Sequence, residues 1–271
     1  MRRSAAVAAA VALLASGVAL AAPAGAAALK PGPVTGIAVT VNKTGGATVT
    51  WKAPAVKKGK TVKATSYTVA CGSAKKVTVK TTKATVVGIV KSGYKNNLQC
   101  SVSAVAGKAT GSAAKSSLFT AYVQIGTASF NLTSAALTGL NHALNPVAPA
   151  TLTANADSTA TIAFPVVARN GQTLTLAGGF LVGPKAIAAP VTGITISPDQ
   201  TNNTLLDCAG YVPAVNGVHT VLVLSNVVAG STANSATFNV SLTSDTLLVA
   251  IFPTFGITLS GGAALGTGTF Q

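Results

Sequence analysis

The chain has 271 residues, a formal net charge of +15 and a pI near 10.1, and 49% of its residues are hydrophobic against only 8% charged. Glutamate is absent and the acids are four aspartates, a poor supply for a hydrolase that must place two carboxylates about one bond. Valine, threonine and glycine are abundant while helix formers other than alanine are scarce, so the composition is that of an all-β protein.

The N-terminus has the order of a secretory signal peptide. Arg2 and Arg3 precede an apolar run from Ala5 to Ala21, and small-x-small sites follow at Ala22-Pro23-Ala24 and Ala24-Gly25-Ala26. Residues 1–26 are read as that signal, with the mature chain starting near Ala27. The protein is therefore expected to be secreted, extracellular or associated with the cell envelope. The most apolar later stretch, Leu247 to Ile257, is short and contains Pro253. A membrane-crossing helix needs ~20 residues, so no transmembrane span is expected in the mature chain.

Charge divides what remains. Between Lys30 and Lys115 there are fifteen lysines and no arginine, aspartate or glutamate. After Ala121 the bases Arg169 and Lys185 face Asp157, Asp199, Asp207 and Asp245. This step places a domain boundary near Ala121: a basic domain over 30–121 and a second β-rich domain over 122–271.

The first domain alternates at strand period. Ile37, Val39 and Val41 share a face, as do Ala47, Val49 and Trp51, then Tyr67, Val69 and Cys71, then Val77 and Val79. Val86 follows, and then Leu98, Cys100, Val102 and Ala104. Turn-forming clusters separate the runs, and seven short strands in so few residues have the spacing of a sandwich.

Four blocks carry a resemblance: Pro31-Gly32-Pro33-Val34-Thr35-Gly36-Ile37, Val49-Thr50-Trp51-Lys52-Ala53-Pro54, Ser66-Tyr67-Thr68-Val69, and Cys100-Ser101-Val102-Ser103-Ala104-Val105 with Gly111. In order and spacing they resemble a fibronectin type III domain, an immunoglobulin-like β-sandwich, over about a third of the chain. The resemblance implies that the strands holding Cys71 and Cys100 are antiparallel neighbours, and both cysteines have core-facing parity. A Cys71–Cys100 disulfide is therefore expected, in keeping with export. Trp51 is the core residue of the second strand.

The same topology implies that Lys57, Lys58, Lys60, Lys83 and Lys108 gather at one end of the sandwich, with Lys43, Lys75, Lys76, Lys91 and Lys95 at the other. Solvated faces normally mix signs; here the opposite sign is missing. These lysines are the candidate polyanion-binding residues. Lysine is a hydrated point charge without arginine's planar fork, so the expected partners are anionic polymers recognised by charge density: cell-wall polymer, acidic polysaccharide or extracellular nucleic acid. Other envelope proteins of acidic character are a second class of partner.

The second domain begins with a strand-like Ala128–Thr133. Leu137, Leu140 and Leu144 then recur at helical spacing, with Thr133 or Ser134 able to cap the start and Asn145-Pro146 ending it, which predicts one short helix over 134–144. Strands are predicted over 160–167, 173–176, 186–196, 218–228, 236–242 and 247–259, with Asn170-Gly171 as a tight hairpin turn. The expectation is a second β-sandwich-like domain. The block from Asn131-Leu132 through Pro146-Val147-Ala148-Pro149-Ala150 to Phe164-Pro165-Val166 is similar to a β-rich domain of exported actinobacterial proteins, which implies no particular activity.

No catalytic constellation stands out. Asp157, Asp199 and Asp245 sit in turn-like contexts. His142 and His219 have no motif around them, no G-x-S-x-G occurs, and no metal-ligand spacing is present. No catalytic residue, metal or cofactor is expected. Cys208 is the odd thiol, read as a buried small hydrophobe. The expectation is a secreted, non-enzymatic binding or adhesion protein. The alternative is an accessory component of an exported polysaccharide-degrading system, since such modules often accompany glycoside hydrolases.

Overall fold

The computed structural model describes residues 29–140, 144–182, 189–202, 204–232 and 235–271. The expected signal peptide, His142 and Lys185 lie outside the described residues. The described residues are mostly strand, with two six-residue α-helices among them, Ser134–Gly139 and Thr246–Ile251.

The first half contains β1 (Thr35–Val41), β2 (Ala47–Lys52), β3 (Ser66–Cys71), β4 (Val77–Val79), β5 (Lys83–Val86), β6 (Tyr94–Leu98), β7 (Cys100–Ala106), β8 (Ala109–Thr110), β9 (Ala114–Lys115) and β10 (Phe119–Tyr122). β1, β2 and β5 form one antiparallel sheet. β4, β3, β7 and β8 form another, with β9 also paired to β7. Alternation along the strands puts Ala47, Val49, Val69, Val86, Val102 and Ala104 at full burial between the sheets. Trp51 stands edge-on to Tyr67, ring centroids 5.3 Å apart. Cys71 and Cys100 are direct partners in the β3–β7 register and are bonded, with Cα atoms 4.1 Å apart. Sequence periodicity did not anticipate the pairing of β6 with β10. Beyond β10, Val123 bonds the Gly93 carbonyl and Gln124 bonds the Lys43 carbonyl. The connecting chain is thereby tied to the β1–β2 turn.

The second half contains β11 (Gly126–Leu132), α1 (Ser134–Gly139), β12 (Leu144–Val147), β13 (Thr151–Ala154), β14 (Ala160–Asn170), β15 (Thr173–Leu176), β16 (Gly179–Val182), β17 (Ala189–Pro198), β18 (Leu206–Val212), β19 (Gly217–Ala229), β20 (Ala236–Leu242), α2 (Thr246–Ile251) and β21 (Ala264–Phe270). The order β11–β14–β15–β17–β18–β19–β20–β21 is antiparallel at every step, and β21 returns to pair with β11. The sheet therefore closes on itself into an eight-stranded barrel. The facing layers expected of a sandwich-like domain are thus parts of one continuous sheet. β13 and the β12–β16 pair are appended to it.

Phenylalanines fill the barrel. Phe180, Phe164, Phe130, Phe238 and Phe270 form a chain of ring contacts with centroids 4.5–6.3 Å apart, each pair adding ~0.5–1.5 kcal/mol beyond burial. Gly268 makes one of these contacts possible. It lies in register between Phe130 and Phe238, and a Cβ there would come within 2.2 Å of the Phe238 ring. Gly268→Val is expected to destabilise the barrel by ~1–3 kcal/mol through overpacking, read by calorimetric unfolding.

One end of the barrel is plugged. Leu140 follows α1, and Leu248, Phe252, Phe255 and Ile257 follow from α2 and the 3-10 turn after it; all five join the core. Thr133 caps α1 by accepting from the Ala136 N–H at 3.1 Å, one of the two caps anticipated. The helix is shorter than expected: Leu144 and Asn145-Pro146 belong to β12, an edge strand, where proline is tolerated. The predicted strand over 247–259 is corrected. That segment is α2 followed by a 3-10 turn at Phe252–Phe255, because Asp245 caps a helix and Pro253 suits the first turn of the next one.

Candidate functional site

All fifteen lysines of the first half are exposed. Lys57, Lys58 and Lys60 ride on a tight turn after β2. The Lys60 N–H donates to the Lys57 carbonyl at 3.0 Å, the Thr61 N–H to the same carbonyl at 2.9 Å, and the Thr61 hydroxyl accepts from the Lys57 N–H at 2.8 Å. Gly59 supplies the positive φ (70°) that the turn requires. Lys83 pairs in register with Thr50, near the end of β2. Lys108 lies in the β7–β8 turn, just past Val105, which faces Ser66 at the start of β3. The registers thus bring the β2–β3 turn, Lys83 and Lys108 to one end of the two sheets. Lys43, in the β1–β2 turn, and Lys75 and Lys76, in the β3–β4 turn, lie at the other. Among the described residues no carboxylate pairs with any of them.

The acids of the second half serve local structure. The Asp157 carboxylate accepts from the N–H and hydroxyl of Thr159, and Asp199 accepts from Thr201 and the Asn202 N–H. These bonds hold both carboxyls below the usual range. Asp207 is pushed up by burial and by nearby Asp199, against a bond from Thr220.

His219 and Asp245 are a side-chain pair that sequence reading failed to join. They lie far apart in the chain, and no local signal links the opening of β19 to a helix cap. Asp245 Oδ1 caps α2 through the Leu247 and Leu248 N–H groups at 2.9 and 3.3 Å, and Oδ2 meets His219 Nδ1 at 2.9 Å. Burial raises the Asp245 carboxyl, but the bonds from His219, Leu248 and Leu247 and the charge of His219 outweigh it and hold it below the ordinary range. Nε2 of the ring lies beside Gly217, where an added Cβ would come within 2.9 Å of it. The pair ties the start of β19 to the cap of α2. A lowered carboxyl stabilises the fold above the ordinary carboxylate range and loses that contribution as pH falls through its folded value. Asp245→Ala is therefore expected to cost ~1 kcal/mol at neutral pH. Its difference from wild type should shrink below about pH 4, as denaturation melts across pH would show.

Cys208 is buried within the barrel, and its thiol is pushed up to about 12, by burial first and then by Asp207. The thiolate is the reactive form, so the native protein is expected to resist iodoacetamide at pH 8 and to take one label per chain in denaturant.

No family model matches this chain, and no curated protein matches it. Among solved structures, one chain of titin kinase with its flanking domains aligns at 12% identity, over 90% of this chain and 38% of that one, with a TM-score of 0.29. So loose a superposition carries no argument about fold or function. Among the described residues no helix is long and apolar enough to cross a membrane.

Proposed function

We propose that this is a secreted, non-enzymatic adhesion protein whose lysine-rich first half, a fibronectin type III-like sandwich, contacts anionic polymers of the cell envelope or its surroundings. The observation that carries the reading is fifteen exposed lysines on one small sandwich without a single acid to balance them. Such a surface raises the local concentration of polyanions and binds their charges while releasing counterions. Lysines on turns contact backbone charge and read no sequence. The disulfide, buried in that sandwich, suits an oxidising compartment.

Pull-down of the mature protein with purified cell wall, DNA, chitin and cellulose tests this. Retention on the anionic polymers, with release by salt, is expected. Retention on neutral chitin or cellulose that salt leaves intact would instead favour an accessory role in polysaccharide degradation.

A further inference from the structure

The segment that joins the two halves is bonded on both sides. Thr44 and Val123 form an antiparallel bridge, the Val123 N–H donates to the Gly93 carbonyl at 2.8 Å, and the Gln124 N–H donates to the Lys43 carbonyl at 2.9 Å. One residue on, the Ile125 N–H donates to the Val166 carbonyl of the barrel at 2.8 Å, and Thr127 exchanges two backbone bonds with Gln271 at 2.7 and 3.0 Å. A hollow of about 180 Å³ lies against this segment. Lys43 and Tyr122 wall it from the first half, Gln124 from the joining segment, and Thr127, Pro149 and Thr151 from the second half. Every wall belongs to the described residues. Backbone bonds to both halves keep the walls at their spacing without a ligand, so little ordering is left for binding to impose.

The walls carry unused bonding groups. Among the described residues nothing bonds the Lys43 ammonium, the Tyr122 hydroxyl or the Thr151 hydroxyl. Gln124 Nε2 donates to the Thr127 hydroxyl oxygen at 2.8 Å, which leaves Gln124 Oε1 to accept and the Thr127 O–H to donate. Burial pushes the Tyr122 phenol up, so it stays a neutral donor at neutral pH. No carboxylate lines the hollow. One cation, three hydroxyls and an amide acceptor thus surround a space that also has the apolar surfaces of Tyr122 and Pro149.

That set discriminates between ligands. A phosphate dianion only accepts, and would offer nothing to Gln124 Oε1. An apolar chain would cover the hydroxyls without bonding them, at a desolvation cost. A sugar ring has a C–H face for the tyrosine and proline, and hydroxyls that both donate and accept. A lone ammonium matches a single negative charge on that ring. An apolar cavity of about 150 Å³ takes benzene, so a hollow of this size admits one six-membered ring with its substituents reaching outward.

We propose that this hollow seats one acidic sugar unit of the uronic acid type, its carboxylate on Lys43, its hydroxyls on Gln124, Thr127 and Thr151, and its ring against Tyr122 and Pro149. The proposal rests on the reading of the chain as a binder of anionic polymers, and names acidic polysaccharide as the polymer recognised by more than charge.

Calorimetric titration of the protein with methyl glucuronide, methyl glucoside and inorganic phosphate tests it, in about 0.3 M salt to screen the lysine surface. The glucuronide is expected to saturate one site, with glucoside and phosphate at least fivefold weaker. Lys43→Gln should weaken the glucuronide at least fivefold and leave the glucoside unchanged, while Thr151→Ala should weaken both sugars; both positions are exposed, so both variants should fold. Lys57, Lys58 and Lys60 changed together to glutamine should leave the glucuronide affinity unchanged while lowering retention on anionic polymers. Glucoside or phosphate binding as well as the glucuronide, a glucuronide titration that does not saturate, or full affinity in Lys43→Gln would overturn the proposal. If any of these occurs while polymer retention stays salt-sensitive, the hollow alone is misread. If the glucuronide binds through Lys43 but polymers are not retained, the lysine-surface reading falls and the hollow stands.

Discussion

Replacing Cys71 and Cys100 together by alanine is expected to cost the first half ~3–4 kcal/mol of stability. The bridge closes a loop with a sequence separation of 29, and the chain-entropy relation gives a value of that size for such a loop. Both cysteines are fully buried in the same core as Val69 and Val102, so the alanine pair also leaves a void. The chain has a single tryptophan, Trp51, packed in this core against Tyr67. Its fluorescence therefore follows the unfolding of this half and not of the barrel. A denaturant titration read at Trp51 should show the loss as a lower midpoint with little change in slope. A shift below about 1 kcal/mol would mean that the bridge closes a loop already ordered in the unfolded chain.

Changing Lys57, Lys58 and Lys60 to glutamine is expected to weaken every polyanion in parallel, by about eightfold per lost contact in 0.1 M salt. The three side chains point outward from a turn held by its own backbone bonds, so stability should move by less than about 0.5 kcal/mol. Binding to a nucleic acid, an acidic polysaccharide and a cell-wall polymer should fall together. Loss of one ligand alone would reveal a specific pocket on this surface.

Much of the first half was legible because its pattern is local. Strict alternation put Val49, Trp51, Tyr67 and Val69 inside, and the parity of Cys71 and Cys100 agreed with their bond. Asn170-Gly171 announced the β14–β15 hairpin, and Thr133 announced the α1 cap. Three things were hidden for physical reasons. The run after Asp245 is apolar enough for strand or helix, and only the cap decides between them. β18 and β21 were not predicted at all: they carry Asp207, Gly210, Gly266 and Gly268, residues of low strand propensity, and their glycines let strands and rings approach. Barrel closure is a pairing of β11 with β21 from opposite ends of the second half, and periodicity within a strand carries no information about so distant a partner. The candidate lysines were visible from charge alone. Their gathering at one end emerges from the registers of β2 with β5 and β3 with β7.

The most direct test of the electrostatic account is the affinity of the protein for duplex DNA, used as a polyanion of known charge density, from 50 to 200 mM salt. Five contacting lysines predict a slope of log K on log salt of about −4.5 and a loss of roughly 500-fold across that range. A slope shallower than about −1, or no binding at 50 mM salt, would contradict the account.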